Sequence, residues 1–122
     1  MNIHELYLLL SAVSSTPATS EKLALLEKHK EHALLRYVVW ATYETTRNYY
    51  LKKIPDTSSK SGSFTLGLGP WAVLDDLADR RVTGDMAKGV VRSTLEQLEP
   101  ESRSIFERIL KRDLRIGVAA KG

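Results

Sequence analysis

The sequence predicts an all-α fold, a single compact domain of about six helices spanning residues 1–122. Three observations support this prediction. Apolar residues recur three and four positions apart along most of the chain, which is the spacing of one helix face. Most candidate helices are separated by short turns rich in Pro, Gly, Ser or Thr. With 122 residues, 43% of them hydrophobic, and no internal repeat, the chain is long enough to bury one core.

The first two predicted helices flank a turn signal at residues 14–20, which contains a proline. The second helix follows this turn, and either Thr19 or Ser20 is expected to cap it by accepting a hydrogen bond from a free backbone N–H. It carries Leu23, Leu25 and Leu26 before a charged stretch. The first helix has its apolar face at i, i+3, i+4 and i+7, on Leu6, Leu9, Leu10 and Val13.

The third predicted helix, Ala33 to Tyr50, is the strongest core segment. Its β-branched and aromatic content also fits a strand, but its length favours a helix. Its aromatic residues are predicted to pack in the core, although a base-stacking platform is the alternative. These residues are Tyr37, Trp40, Tyr43, Tyr49 and Tyr50.

The one long connection runs from Lys52 to Gly69 and is rich in Ser, Gly and Lys. A loop of this length in a compact domain is usually functional or mobile. Gly69 and Pro70 are expected to start the fourth helix, because proline suits a first helical position. Trp71 belongs to its apolar face and is predicted to be core.

Two further helices complete the prediction. Thr83 is the expected N-cap of the fifth, and Asp85 in its first turn complements the helix dipole. The sixth begins at Glu99-Pro100. Its apolar face consists of Ile105, Phe106, Ile109 and Leu110.

Composition excludes several classes of protein. The chain has no cysteine, so disulfides and thiolate metal sites are ruled out and an intracellular location is natural. No apolar run approaches the roughly 20 residues of a membrane helix. The net charge is only +3, but residues 80–121 hold ten basic and six acidic residues, so the positive excess lies in the last third. That distribution is a weak indication of a nucleic-acid partner.

Four segments of the sequence form a distinctive set. The most distinctive is Leu110 to Lys121, which contains Leu-Arg-Ile-Gly after a basic run and a nearby lysine, and the others are 26–30, 41–53 and 81–87. In this order they resemble the phage-type ATP-dependent DNA ligases, and the resemblance extends from about residue 20 to the end. The segment from Leu110 to Lys121 is similar to the one that closes the N-terminal DNA-binding domain of that family.

The resemblance implies an all-helical domain that lies across the minor groove of duplex DNA opposite a nick. In that family the reaction, nick sealing in DNA replication and repair, uses ATP and Mg²⁺ and a Lys-x-Asp-Gly motif. That motif does not occur in this sequence. We therefore expect the chain to be a fragment without the catalytic nucleotidyltransferase domain, to hold no cofactor and to catalyse nothing. Expected partners are nicked double-stranded DNA, the parent chain's catalytic domains and a sliding clamp, in the cytoplasm of a bacterial host.

The first candidate DNA contact is the closing basic run. Arg112 and Arg115 are three positions apart and share a helix face if the last helix persists. Gly117 would let the backbone approach a phosphate or sugar closely, and Lys121 would add a further charge. The competing interpretation is a solvated helix end whose basic residues complement the dipole.

The second candidate is the start of the fifth helix, where free N–H groups at Thr83 and Gly84 attract phosphate. Arg81 and Lys88, together with Arg80, would surround that phosphate. The alternative is an ordinary capped helix. The third and weakest candidate is the long loop with Lys52, Lys53 and Lys60, which Arg47 would join.

The sequence also bears on functions other than DNA binding. The pair His29 and His32 has helical spacing for a shared metal, but no third ligand is evident, so no metal is expected. A helical protein-interaction domain would show an exposed apolar groove with no basic face. A helix-turn-helix regulator would use Arg80 to Leu98 as turn and recognition helix and would bind a specific sequence as a dimer.

Overall fold

A computed structural model describes residues 2–44, 46–51, 54 and 62–116, and of Leu68 only the backbone. Within these residues six helices are present, and no strand beyond one isolated bridge, so the predicted all-α fold is confirmed. No helix among them is long and apolar enough to cross a membrane. The helices are α1 (Ile3–Ser15), α2 (Thr19–Lys28), α3 (Ala33–Tyr43), α4 (Leu68–Ala78), α5 (Gly84–Gln97) and α6 (Pro100–Lys111).

Helix α6 is the centre of the packing. It lies against both α1 and α3, while α1 also packs on α2 and α4 packs on α5. Its predicted apolar face is buried, with Ile105, Phe106 and Ile109 fully inaccessible to solvent. The predicted face of α1 is buried as well, so the core forms where these helix faces meet.

The start of α1 is capped by its own sequence. The side chain of Asn2 accepts a hydrogen bond from the Glu5 N–H at 2.8 Å, and Glu5 accepts one from the Asn2 N–H at 3.1 Å. This reciprocal pair is a capping box. The cap predicted for α2 is wrong: Ala18 occupies the N-cap position, Thr19 is already helical, and no side chain caps this end.

Helix α3 ends at Tyr43 and does not reach Tyr50, which corrects the predicted length. Glu44 turns to an extended conformation. Two carbonyls that a longer helix would bond internally accept hydrogen bonds from side chains beyond the helix. The Tyr49 hydroxyl donates to Ala41 O at 2.5 Å, and the Arg112 guanidinium donates to Glu44 O at 2.6 Å. Tertiary contacts therefore overrode the helical pattern.

Helix α4 begins two residues earlier than predicted, at Leu68, with Gly67 as its N-cap. Pro70 is accordingly its third residue. That position remains in the first turn, where a missing N–H leaves no helical hydrogen bond unmade. The Trp71 N–H closes the first helical bond with Gly67 O at 3.0 Å.

The segment before α4 is joined to the α5–α6 junction. Phe64 pairs with Leu98 in an isolated parallel bridge. The Phe64 N–H donates to Gln97 O at 3.0 Å, and the Glu99 N–H donates to Phe64 O at 2.8 Å. The Leu66 N–H donates to the buried hydroxyl of Ser102 at 3.1 Å. These bonds hold residues 62–66 against α6.

Helix α6 starts at Glu99-Pro100 as predicted. The Glu99 carboxylate accepts hydrogen bonds from the Ser102 N–H at 2.7 Å and the Glu101 N–H at 3.1 Å, besides the Ser102 hydroxyl. Burial raises the pKa of Glu99, but these hydrogen bonds and nearby His4 outweigh it and bring the pKa below the ordinary value of 4.5. The ionised carboxylate is thus the form that caps the helix.

Because the pKa of Glu99 is lower in the folded protein, its contribution to stability is complete above about pH 4.5 and is lost as pH falls through the folded value. We expect Glu99→Gln to be less stable than wild type near neutral pH, and the difference to narrow in acid. Urea unfolding at several pH values measures this. Glu31→Gln, at an exposed position, is the control and should leave stability unchanged. A Glu99→Gln deficit independent of pH would contradict the assignment.

Candidate nucleic-acid interface

The turn between α4 and α5 presents an uncapped helix start. Thr83 holds the predicted N-cap position in an extended conformation, but its side chain makes no capping hydrogen bond, contrary to expectation. Thr83 and Gly84 are exposed, and Gly84 has a φ of +58°, a conformation that favours glycine. Lys88, one turn further along α5, is also exposed. The first N–H groups of α5 therefore have no side-chain cap, and the predicted phosphate contact at this helix start stays a prediction.

Arg81 is exposed beside this turn, but its guanidinium forms ion pairs with two carboxylates. Its guanidinium lies 3.0 Å from Asp76 and 3.3 Å from Asp79. The hydrogen bond with Asp76, followed by the charge of Asp79, raises the pKa of Arg81. A phosphate would have to compete with both carboxylates for this side chain.

The closing segment differs from its prediction. Helix α6 ends at Lys111, and Arg112 has a φ of +58°, so the helix does not persist and Arg112 and Arg115 do not share a helix face. Arg112 is half-buried and its guanidinium donates to the carbonyls of Glu44 and Arg47. It points into the domain and supports the end of α3. Only Arg115 of the two is exposed.

Two buried side chains and two hydrogen bonds, besides the contacts of Arg112, fix this segment. Leu114 and Ile116 are fully buried. The Leu114 N–H donates to the Tyr43 hydroxyl at 3.0 Å, and the Lys22 ammonium donates to Ile116 O at 2.9 Å. Burial raises the pKa of Tyr43, and the bond from Leu114 lowers it by less. Arg115 therefore projects outward between two buried apolar anchors.

Several predicted contacts lie outside the described residues: Lys52, Lys53, Lys60, Gly117 and Lys121. Of the loop candidates only Arg47 is described, and it does not join an exposed basic patch. Its side chain is 11% exposed and pairs with Asp75 at 2.8 Å. It also donates to the Tyr49 hydroxyl at 2.9 Å and covers the Trp40 ring at 4.7 Å. Burial lowers the pKa of Arg47, but the bonds with Tyr49 and Asp75 raise it by more.

The aromatic residues divide between core and surface. The prediction that Trp40 is core is wrong, since it is 44% exposed, and Tyr50 is 51% exposed. Tyr49 is buried, and half-buried Trp71 packs against the core with its ring 4.7 Å from that of Tyr37. Burial, with the charge of Asp75, raises the pKa of Tyr37 to about 12.

Sequence reasoning missed one surface contact. The Arg80 guanidinium lies over the Tyr50 ring, 4.4 Å from its centroid. Arg80 was expected near the α5 start, but Tyr50 was assigned to a helix and to the core. Only the early end of α3 brings Tyr50 to the surface. The rings of His29 and His32 stack 5.6 Å apart, and no group of three or more His, Asp or Glu suited to a metal occurs in the described part of the chain.

Comparisons with known proteins bear on these features. No protein-family model matches the chain. The DNA ligases of Enterobacteria phages T4 and T6 are each 30% identical to it over 118 residues, covering 91% of the chain and 23% of the ligase. The resemblance to phage DNA ligases is thereby confirmed. The chain spans less than a quarter of the length of these relatives.

A solved structure shares the fold. The chain named Pmar-Lig_PreS3 superimposes with a TM-score of 0.83 at 18% sequence identity. The match covers 93% of this chain and 27% of that one. The helical arrangement described above is therefore one already found within a larger protein.

Proposed function

We propose that this chain is a DNA-binding module of an ATP-dependent DNA ligase, which contacts the sugar–phosphate backbone of duplex DNA across the minor groove. The observation that carries the proposal is the similarity to two phage DNA ligases over 91% of the chain but only 23% of each ligase. A helical portion of a sealing enzyme has a clear task, which is to hold the duplex. A ligase must act at any sequence, so contacts to phosphate should outweigh contacts to base edges.

The exposed cationic groups of the described residues fit this role at two places. One is the α5 start, where no side chain caps the first N–H groups and Lys88 is exposed one turn further along the helix. The other is Arg115, which projects from a firmly anchored segment. A fixed backbone lowers the entropy lost when such a side chain binds DNA. Both places are therefore suited to a rigid interface that recognises the shape of the duplex.

The chemistry of sealing is assigned to other parts of a longer protein. Adenylation in such ligases needs a Lys-x-Asp-Gly motif, which this sequence lacks. We propose that ATP and Mg²⁺ bind elsewhere in that protein, and that this module by itself binds DNA without catalysis. A sliding clamp remains a proposed additional partner, and the cytoplasm of a phage-infected host is the proposed location.

Fluorescence anisotropy with short duplexes tests DNA binding. We expect the logarithm of affinity to fall linearly with the logarithm of salt concentration, by about 0.9 for each phosphate contacted. Two duplexes of unrelated sequence should bind alike, and a nicked duplex at least as well as an intact one. Arg115→Ala and Lys88→Ala should each lower the affinity, whereas Glu31→Gln should not.

Each alternative function has its own outcome in this assay. Affinity that does not change between low and physiological salt would overturn the proposed backbone contact. A strong preference for one sequence, with dimeric binding, would support a helix-turn-helix regulator. No binding to any duplex would leave the protein-interaction hypothesis.

A further inference from the structure

Helices α4 and α6 end in the same backbone motif, and in both an arginine occupies the position where glycine is usual. At the end of α4 the Arg80 N–H donates to Leu77 O at 3.2 Å, and the Arg81 N–H donates to Asp76 O at 2.8 Å. This pair of bonds defines a Schellman motif, whose left-handed residue is Arg80, with a φ of +58°. Arg112 holds the equivalent position after α6 with the same φ.

The two arginines differ in what their side chains do for the fold. A left-handed conformation costs a residue with a side chain about 1–2 kcal/mol relative to glycine. Arg112 offsets this cost, because its half-buried guanidinium donates to two backbone carbonyls. Arg80 is exposed and has no ion pair with any residue that the structure describes. Its side chain contacts the face of the Tyr50 ring.

Tyr50 adds to the conformational free-energy cost of the contact between Arg80 and Tyr50. It is 51% exposed and has a φ of +57°, so a second side chain adopts the left-handed conformation at the same contact. A cation–π contact at an exposed site contributes about 0.5–1 kcal/mol. Two left-handed residues cost together about 2–4 kcal/mol. The Schellman bonds of Arg80, and the bond from the Tyr50 N–H to the Asn48 side chain at 2.8 Å, explain the two backbone conformations. They do not explain why an arginine and a tyrosine stand where glycine would fit without strain, and that choice of side chains points to function.

The geometry of the pair suits a nucleic-acid backbone. The guanidinium carbon lies over the Tyr50 ring, and no described residue forms an ion pair with it, so its N–H groups can serve as donors for a phosphate. The nearby carboxylates of α4 and its C-cap form their ion pairs with other arginines and none with Arg80. These pairs are Arg47 with Asp75, Arg81 with Asp76 and Arg81 with Asp79.

We propose that Arg80 and Tyr50 together form a single contact for the DNA backbone. Arg80 donates to a phosphate, and Tyr50 orients the guanidinium and packs its exposed ring edge against the adjoining deoxyribose. This inference rests on the proposed DNA-binding function and names a contact within it. Arg80 contributes a charge and Tyr50 an apolar surface, so the pair recognises the sugar–phosphate backbone and not the base sequence.

Arg80→Gly separates folding from binding. Glycine adopts the left-handed conformation without strain, so the variant should unfold at the same temperature as wild type or higher. Its affinity for a nicked duplex should fall about tenfold, the effect of losing one charge-assisted phosphate contact. Its salt dependence should become shallower by about one phosphate. The matched control is Arg36→Ala, which removes the same charge from an exposed position on α3.

Tyr50→Gly tests whether the two residues act together. It should also leave the fold intact and weaken DNA binding, and the double variant should bind scarcely worse than Arg80→Gly alone. A marked loss of stability in either glycine variant would overturn the inference, as would equal losses of affinity in Arg80→Gly and Arg36→Ala. Wild type that binds no duplex would instead overturn the proposed function itself.

Discussion

Arg112→Ala is expected to lower the free energy of unfolding by about 2–3 kcal/mol, because two charge-assisted hydrogen bonds to backbone carbonyls are lost. Of the two acceptors, Glu44 O keeps a hydrogen bond from the Arg47 N–H at 3.2 Å. Those carbonyls belong to Glu44 and Arg47, at and just beyond the end of α3. The side chain is half-buried, so water replaces these bonds incompletely. Thermal unfolding followed by circular dichroism should show a midpoint about 10 °C lower.

Three variants sharpen this prediction. Arg112→Gly should be less harmful than Arg112→Ala by about 1 kcal/mol, because glycine accepts the φ of +58° without strain. Arg112→Lys keeps the charge but cannot present the planar fork to two carbonyls, so it should fall between alanine and wild type. Arg115→Ala, at an exposed position, should change stability by less than about 0.5 kcal/mol. Equal stability of Arg112→Ala and wild type would contradict the structural role.

The structural role of Arg112 affects how DNA-binding data should be interpreted. A double substitution of Arg112 and Arg115 would lose affinity even if neither side chain touched DNA, because it would also weaken the fold. Arg115→Ala is the informative variant for the closing segment. Any loss of affinity in Arg112→Ala should be compared with its fraction unfolded at the assay temperature.

Gly62→Ala is expected to destabilise the domain by about 3 kcal/mol. A Cβ atom at this position would lie 1.9 Å from Gln97 O and 2.1 Å from Gln97 C, both of them backbone atoms that no rotamer change can move. The segment must shift, which also breaks the bonds between residues 62–66 and the α5–α6 junction. Urea unfolding should show the loss, and limited proteolysis should cleave residues 62–66 faster.

A second glycine provides the matched control for the same chemical change. Gly89 lies exposed within α5 with no atom near its Cβ position, so Gly89→Ala should stabilise the domain by about 0.5–1 kcal/mol through helix propensity. Opposite signs for the two substitutions are the expected result. If Gly62→Ala were neutral, the close approach of residues 62–66 to Gln97 would not exist in solution.

The candidate interface was only partly predictable. The exposed positions of Thr83, Gly84 and Arg115 follow from local patterns, since turns and helix ends lie at the surface. The inward direction of the Arg112 side chain does not follow from local patterns. The prediction for Arg112 required α6 to continue past Lys111, and the helix ends there. The contact between Arg80 and Tyr50 depends on two chain segments thirty residues apart in the sequence, which no local pattern relates.

By itself the sequence determined the helical class, the buried faces of α1 and α6, and the start of α6 at Glu99-Pro100, because each depends on residues within one or two turns. The tertiary structure alone decided where α3 ends and which arginine faces solvent. The physical reason is that carbonyls at a helix end, which have no partner within the helix, accept hydrogen bonds from other parts of the chain. Glu44 O accepts from the Arg112 guanidinium, 68 positions away, as well as from the nearby Arg47 N–H. Hydrogen-bond partners so distant in sequence are brought together by the packing of the whole chain.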